Sequence, residues 1–326
     1  MKRFYLILTL LILLTGVLAV LALKSGAVMV SWGDVAGVFT GSESAQVLLL
    51  REIRLPRILL ALLAGSALGV AGAILQQILH NDLAAPEIMG ISAGAGTAGV
   101  IWLLYCGASL QYLGAASFAG AALAAAVVYL AAWKRGIDPA RLILAGVAVS
   151  TLAGALSSAL LLLNSDKLTG IFEFTLGGVA GKGWDEVYCS LPFFLITFAG
   201  CAVMVRRIEL LSLDDHSAAS LGINVESTRL TALALASLAA GTAVSVAGLL
   251  GFVGLMAPHT AGRLGGNTTG KRLLLSALLG GLLTLTGEWL GRIAAAPREL
   301  PAGMFLSAAG AIFFLTLLLR NRREGL

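Results

Sequence analysis

Long apolar runs separated by short polar segments make up most of the chain. A helix needs about 20 apolar residues to cross the hydrocarbon core of a bilayer, so windows of that length mark candidate spans. The runs are rich in Leu, Ala and Gly and lack the roughly ten-residue alternating segments of barrel strands. The pattern predicts an all-α polytopic membrane protein with about ten transmembrane helices in a single domain, residues 1–326. The windows are 4–23, 58–79, 88–105, 112–133, 142–163, 189–205, 230–250, 252–264, 273–295 and 303–320.

Composition supports a membrane protein. Hydrophobic residues make up 58% of the chain and charged residues 12%, which is about half the charge density that a soluble surface needs. The 40 glycines suit a membrane bundle, in which small residues let helices approach closely. The first window follows Lys2 and Arg3 like a signal peptide, but it is long and has no clear cleavage site, so a retained first helix is expected. The eighth window is short and predicts a half-length or tilted helix.

The distribution of basic residues predicts the orientation. With a cytoplasmic N-terminus, the inner segments hold 14 of the 22 Lys and Arg residues, so both termini are predicted to be cytoplasmic. Two outer clusters oppose the rule and can be read as solvated loop charges or as a docking surface for an acidic extracellular partner. They are Arg51, Arg54 and Arg57, and Arg292 and Arg298.

Two stretches, 57–90 and 229–266, resemble each other. Each has a basic start, a helix rich in small residues and a polar break that contains Pro86 or Pro258. In the predicted topology they enter the membrane from opposite sides, which indicates an inverted internal repeat with halves of roughly 54–164 and 228–320. Shared membrane composition alone is the alternative explanation.

Motifs that carry chemistry are missing from the sequence. It contains no P-loop, GxSxG or HExxH motif, and its cysteines and histidines do not have ligand spacing, so we predict no catalytic residue and no metal site. Glu288 is the ionisable residue closest to the middle of a span, and it can pair with Arg292 four residues later. So few intramembrane charges argue against a proton- or sodium-coupled carrier and imply that a partner supplies the energy.

The segment 206–229 is too polar to cross a membrane. Asp214 or Asp215 can cap a short helix that runs to Leu221 and is closed by Gly222, and a second short turn can begin near Asn224. Such a projecting knob suits docking to a soluble partner. A plain connector is the alternative.

Four stretches resemble the FecCD-type permeases of ABC importers, which serve ferric siderophores, haem and cobalamin. They occur in the family's order and cover most of the chain after residue 50. They are RLPRILLALLAGSALGVAGAILQQILHNDLAAPEIMGISAGA (54–95), ARLILAGVAVS (140–150), SLGINVESTRL (220–230), and GFVGLMAPHTAGRLGG (251–266) with GEWLGRIAAAPRELPAGMFLSAAGAIFFLTLLLR (287–320).

The resemblance implies a type II ABC importer permease fold in a bacterial or archaeal plasma membrane. It also implies a second permease subunit with the transport path between the two copies, two cytoplasmic ATPase subunits and an external substrate-binding protein. ATP and Mg would be bound by the partner ATPase, with no cofactor in this chain and no nucleic acid partner. A homodimer and a pair with a sister permease both stay open.

The resemblance also implies roles for individual residues. Docking of the binding protein falls on Arg54 and Arg57 of RLPR and on Arg292 of GEWLGR. The cytoplasmic gate falls on Asn81 and Leu83, with Pro139 at the same exit. The ATPase-coupling segment, 208–228, contributes Asp214, Asp215, His216, Ser220, Leu221 and Gly222.

The sequence departs from the family pattern at two of these places. Asp82 stands in HNDLA where the family often has Pro, and Asp214, Asp215 and His216 replace a more usual Gly, Asp and Glu. The expected function is a permease subunit that translocates an iron chelate, haem or cobalamin. The alternatives are a secondary carrier or channel for a small solute and an intramembrane enzyme.

Overall fold

The structure is a computed structural model that describes residues 2–26, 28, 30–41, 44–106, 110–132, 139–165 and 168–324. Every regular element in these ranges is helical. The helices are α1 (Lys2–Lys24), α2 (Trp32–Thr40), α3 (Ala45–Leu49), a π-helical turn (Leu50–Arg54), α4 (Leu55–Ile78), α5 (Ile91–Tyr105), α6 (Leu110–Ala132), α7 (Pro139–Leu163), α8 (Leu168–Leu176), α9 (Trp184–Leu210), α10 (Asp215–Ser220), α11 (Val225–Ala247), α12 (Val253–Leu264), α13 (Thr269–Ile293) and α14 (Ala302–Glu324).

Each of the ten predicted windows overlaps one of these helices. Within the described residues, seven helical segments are long and apolar enough to cross a membrane: α1, α3 continued through α4, α6, α7, α9, α11 and α13. Helices α5 and α14 contain shorter apolar stretches, and α12 has 12 residues, as the half-length prediction required. The prediction of an all-α, multi-pass membrane protein is confirmed.

The short helix predicted in the polar segment is also confirmed. Asp214 caps α10 by accepting a hydrogen bond from the backbone nitrogen of Ser217 at 3.0 Å, and Gly222 follows with a positive φ of 86°. The separate turn expected near Asn224 is wrong, because the Asn224 side chain instead caps the long helix α11. Helices α2 and α8 were missed, because nine residues each are too few to give a spanning apolar window.

Helix α4 lies at the centre of the bundle, packed against α13, α11 and α12. Three glycines on α4 allow its backbone to touch the backbones of α13 and α12. A Cβ on Gly65 would lie 2.2 Å from the carbonyl oxygen of Gly280, and one on Gly69 would lie 2.1 Å from that of Ser276. A Cβ on Gly72 would lie 1.7 Å from the carbonyl oxygen of Gly254. Contacts this close are possible only without side chains between the helices.

Two ends of the bundle carry the polar features. The arginine end is where α4 begins and α13 finishes, and it holds Arg54, Arg57 and Arg292. The α10 end holds α10 itself, the start of α11 and the segment 79–90 that follows α4. We call residues 79–90 the gate segment, after their predicted role.

Backbone hydrogen bonds join the connections that follow α8 and α11 to each other and to the start of α14. The nitrogen of Leu249, after α11, donates to the carbonyl of Phe174 in α8 at 3.2 Å. The nitrogen of Gly178, after α8, donates to the carbonyl of Ala247 at 2.8 Å, and that of Gly303, in α14, donates to Gly177 at 2.9 Å. These bonds satisfy backbone groups that lipid could not satisfy. Segment 57–90 forms most of α4 and the break that precedes α5, and segment 229–266 forms most of α11, a break and α12. The inverted relation between the two segments stays a prediction.

We expect Gly65→Ala to destabilise the protein by about 1–3 kcal/mol or more, because the new methyl group must push α13 away from α4. Gly16→Ala in α1 is the matched control, since nothing lies within 4 Å of the position of its Cβ. Thermal unfolding of the two variants in mild detergent, followed by size-exclusion chromatography, measures the difference. Equal unfolding temperatures would contradict the close helix contact.

Candidate functional site

Arg57 is the centre of a buried ion network at the arginine end. Its Nη2 lies 2.9 Å from Oε1 of Glu288 and 2.6 Å from Oε2 of Glu299, and its Nη1 donates to Glu299 as well, at 3.2 Å. Glu288 belongs to α13, and Glu299 lies in the connection to α14. The network therefore ties the start of α4 to the end of α13 and to the segment that follows it.

Arg54 and Arg292 complete the cluster through backbone contacts. Arg54 donates to the carbonyl oxygens of Leu23, Lys24 and Val28, around and after the end of α1. Arg292 donates to the carbonyl oxygen of Ala22 at 2.9 Å, and its Nη2 lies 3.5 Å from Glu288, which is the i, i+4 pair expected from the sequence. Three guanidinium groups thus face two carboxylates, and the cluster keeps one positive charge.

Of the two interpretations of the outer arginines, solvated loop charges do not fit Arg54, Arg57 or Arg292 in this subunit. Arg54, Arg57 and Arg292 are only 4%, 6% and 3% exposed, because carboxylates and carbonyls of the same chain surround them. Arg298, next to Glu299, is exposed. The docking role of the three arginines stays a prediction.

Glu299 is the part of the network that reaches solvent, with a side chain about one third exposed. The hydrogen bonds from Arg57 hold the pKa of Glu299 below its ordinary value of 4.5, and the charges of Arg57, Arg292 and Arg54 act in the same direction. Glu299 is therefore ionised at neutral pH. Its negative charge compensates the buried guanidinium of Arg57, because the other carboxylate, Glu288, is shared with Arg292.

The gate segment folds back against the bundle after α4. The Asn81 side chain accepts a hydrogen bond from the backbone nitrogen of Leu83 at 2.9 Å, which closes a tight turn. Leu83 itself is exposed, so an apolar side chain projects from that turn. Further along, Pro86 packs close to Gly254 of α12. The structure therefore brings Asn81 and Leu83 into one turn, and their gating role stays a prediction.

Pro139 begins α7, although its side chain lies outside what the structure describes. The next turns of α7 contact the gate segment. Leu142 lines a small cavity together with Leu79 and Met89, and a Cβ on Gly146 would lie 2.4 Å from the carbonyl oxygen of Ile88. The start of α7 and the gate segment are therefore neighbours, and the role of Pro139 at the exit stays a prediction.

The α10 end presents a projecting surface. The predicted coupling residues all lie exposed on it: Asp214, Asp215, His216, Ser220, Leu221 and Gly222. The hydrogen bond from Ser217 lowers the pKa of Asp214, so that its cap is charged at neutral pH. Exposed Leu213 and Leu221 add apolar area to the same surface. A helix that is capped at both ends and that exposes acidic and apolar side chains is suited to contact another protein.

Comparison with known proteins identifies the family. The family model described as the FecCD transport family matches residues 11–320. The chain belongs to the FecCD transport family. Members are permease subunits of ABC transporters, which are membrane components without catalysis of their own, and the resemblance seen in the sequence is thereby confirmed.

Relatives within the FecCD family match over most of their length. An Fe(3+)-citrate import system permease of Bacillus subtilis, YfmE, is 35% identical, with 99% of this chain and 97% of the relative covered. The ferric enterobactin permease FepG of Escherichia coli is 33% identical (93% and 92% covered). The cobalamin import permease BtuC of Halobacterium salinarum is 36% identical (85% and 74% covered).

Solved structures confirm the type II importer permease fold. A structure described as an inward-facing conformation of a metal-chelate type ABC transporter superposes with a TM-score of 0.83 at 28% identity, covering 96% of this chain and 99% of the other. PsaBC from Streptococcus pneumoniae, solved with a Fab, superposes with a TM-score of 0.64 at 17% identity and supports the fold alone (87% and 94% covered).

The FecCD departure at Asp82 has a structural counterpart. The Asp82 carboxylate lies 3.0 Å from Nη2 of Arg272 on α13, and the same Nη2 donates to the side chain of Gln76 in α4 at 2.7 Å. The residue that replaces the family's usual proline therefore connects the gate segment to α13 by an ion pair. The partners are 190 residues apart, and a contact over that separation has no local sequence signal.

Two further acidic residues were not singled out from the sequence. Glu299 compensates Arg57, and the ELP stretch in which it stands offered no spacing signal toward a residue 242 positions away. Both carboxylate oxygens of Glu87, in the gate segment, are buried beside Gly254 at the start of α12. The sequence placed Glu87 in a polar break and gave no reason to expect its burial.

We expect Glu288→Gln to destabilise the protein by about 3–5 kcal/mol, because it leaves Arg57 and Arg292 buried with less compensating charge. Glu52→Gln removes an exposed carboxylate from the π-helical turn at the same end and serves as the control. Unfolding midpoints in detergent measure both variants. If Glu288→Gln matched the control, the network would not be holding the helices together.

Acid should weaken the contact between Arg57 and Glu299. Because the folded-state pKa of Glu299 lies below 4.5, its contribution to stability is fully present above about pH 4.5 and is lost as the pH falls through the lowered value. In Glu299→Gln we expect a lower stability at neutral pH and a flatter dependence below pH 4.5. Unfolding temperatures measured between roughly pH 3 and 7, the range over which a shifted carboxyl titrates, test this prediction. Identical pH profiles in the variant and the wild type would refute it.

Proposed function

We propose that this chain is the membrane-spanning permease subunit of an ABC importer for a metal chelate, of the iron–siderophore, haem or cobalamin class. A binding protein delivers the cargo from outside, and a separate ATPase supplies the energy. The observation that carries the proposal is the end-to-end likeness to import permeases: relatives named for ferric citrate, ferric enterobactin and cobalamin all match over most of their length.

The α10 end supports an ATPase contact on the cytoplasmic side. Its exposed surface combines Asp214, Asp215 and His216 with the apolar Leu213 and Leu221. A short helix that is capped at both ends can move as a rigid unit when the ATPase changes conformation, because the caps satisfy its terminal backbone groups. The coupling role of this surface, with both chain termini in the cytoplasm, forms part of the proposal.

The arginine end supports docking of an acidic partner on the outer side. The buried cluster keeps one positive charge, and exposed Arg298 lies beside it. Low-dielectric surroundings screen such a charge less than water does, so its field reaches the surface near Glu299. We propose that Arg54, Arg57 and Arg292 attract the binding protein through this field and that Arg298 meets its acidic groups directly.

A second copy of the chain is proposed to cover α7. Almost none of α7 is buried within the subunit, and it packs mainly on α5 and α6. Its exposed face mixes Leu144 and Leu152 with the hydroxyl of Thr151, and Gly154 has open space beside it. Because α7 begins against the gate segment, two copies facing each other through α7 would enclose a passage that the two gate segments close.

The secondary-carrier alternative lost its main candidate residue. It required an intramembrane carboxyl that can bind and release an ion, and Glu288 was the one the sequence offered. In the structure Glu288 is buried, and it lies 2.9 Å from Arg57 and 3.5 Å from Arg292, so that its carboxylate already contacts two cations of the same chain. The importer proposal needs no such group, since the energy comes from ATP hydrolysis on another chain.

Co-purification tests the proposed function. We expect tagged protein, extracted from its native membrane in mild detergent, to bring down an ABC ATPase in a 1:1 ratio (about two of each per assembly) and, after crosslinking, an extracytoplasmic binding protein. Mass spectrometry identifies the partners, and the metal content of the binding protein identifies the class of cargo. Uptake that persists after deletion of the co-purified ATPase would refute the importer and favour a secondary carrier.

A further inference from the structure

Arg229 is a buried cation at the α10 end that the predicted site residues do not include. It lies in the second turn of α11 and is buried, with its Nη2 2.9 Å from Oδ1 of Asp215. Asp215 is the first residue of α10, and its side chain is 63% exposed. The ion pair therefore joins the interior of the bundle to the projecting helix.

A second polar contact fixes the same part of α11. The hydroxyl of Tyr129, on α6, donates a hydrogen bond to the carboxylate of Glu226, which precedes Arg229 by less than one helical turn. Glu226 and Arg229 are three residues apart and therefore lie on the same face of α11, where each contacts a different helix. Helix α10 is attached through Asp215, and α6 is attached through Tyr129.

The other side of Arg229 faces the gate segment. A small cavity lies beside Arg229 and Tyr129, and the residues that line it come from four helices and from both ends of the gate segment. The gate segment contributes Leu79 and Met89 to this lining. Leu79 and Met89 border the same cavity as Arg229, and a shift of Arg229 reaches them because closely packed interiors transmit strain.

We propose that Arg229 is the positioning residue through which movement of α10 reaches the gate segment. This inference rests on the proposed function, since it assigns the mechanical link between the ATPase surface and the gate. A displacement of α10 moves Asp215, and the ion pair moves Arg229 with it. Because Arg229 belongs to α11, that helix shifts as well, and the shift reaches the cavity beside Leu79 and Met89. Tyr129 and Glu226 provide the fixed point against which α11 turns.

The location of the pair separates this role from a role in stability. Asp215 is well exposed, and an asparagine at this position keeps the size of the side chain and an oxygen that can still accept a hydrogen bond from buried Arg229. Removal of the Asp215 charge should therefore leave the subunit folded and change how ATP hydrolysis is coupled to transport.

The test uses the complete complex in proteoliposomes with its binding protein and compares Asp215→Asn with Arg229→Gln. We expect transport per ATP hydrolysed to fall about tenfold in both variants, which is within the range typical of coupling between sites. The double variant should be no worse than either single variant, because both remove the same contact.

Two comparison variants show whether charge alone matters. Asp214→Asn removes a neighbouring carboxylate from the same exposed surface, and asparagine keeps the helix cap. The proposal requires a clearly larger loss in Asp215→Asn than in Asp214→Asn. Arg206→Gln removes an exposed cation near the end of α9 and should behave as the wild type.

Several outcomes would overturn the inference. Equal losses in Asp214→Asn and Asp215→Asn would assign the effect to surface charge, and loss of the ATPase subunit from Asp215→Asn would assign it to direct docking. Wild-type coupling in Asp215→Asn would refute the link even if Arg229→Gln failed to fold. Each of these leaves the proposed function intact, whereas a wild-type protein that binds no ATPase would overturn both.

Discussion

Helix α4 touches the backbones of α13 and α12 with no side chain between them, and the charged features at both ends of the bundle depend on this contact. Gly65, Gly69 and Gly72 set the distance and the register of the helices. With that register fixed, Arg57 at one end of α4 meets Glu288 of α13. At the other end Gln76 meets Arg272 of the same helix. One packing arrangement therefore positions polar contacts that lie at opposite ends of the molecule.

The buried arginines show how a membrane protein can place cations inside without unfolding. A guanidinium removed from water costs several kcal/mol unless acceptors surround it. The protein supplies carboxylates for Arg57 and backbone carbonyls for Arg54, and it uses the connections after α1 and α13 to do so. A cluster with more cations than anions still attracts negative charge from outside. Burial and partner attraction are therefore compatible, although direct contact with the buried groups would require the cluster to open.

Local sequence signals predicted most of the helices and the details of the polar segment. Apolar windows located the spanning helices, and the cap at Asp214 with the glycine at position 222 located α10, because caps and hydropathy depend on neighbouring residues. Tertiary pairs were not predictable in this way. Arg57 and Glu299 are 242 residues apart, and Asp82 and Arg272 are 190 apart, so only the folded chain shows that they meet. The positive-inside rule flagged the arginines as exceptions, and family resemblance assigned their role, but neither indicated that they are buried.

Backbone bonds between the connections after α8 and α11 and the start of α14 restrict how the bundle can rearrange. The backbone nitrogens of Leu249, Gly178 and Gly303 donate to the carbonyls of Phe174, Ala247 and Gly177, and no substitution other than proline removes these main-chain donors. A displacement of α11 away from either neighbour would strand these groups without partners. Helices α8, α11 and the first turn of α14 must therefore travel as one rigid piece, so that the subunit has fewer independent moving bodies than it has helices.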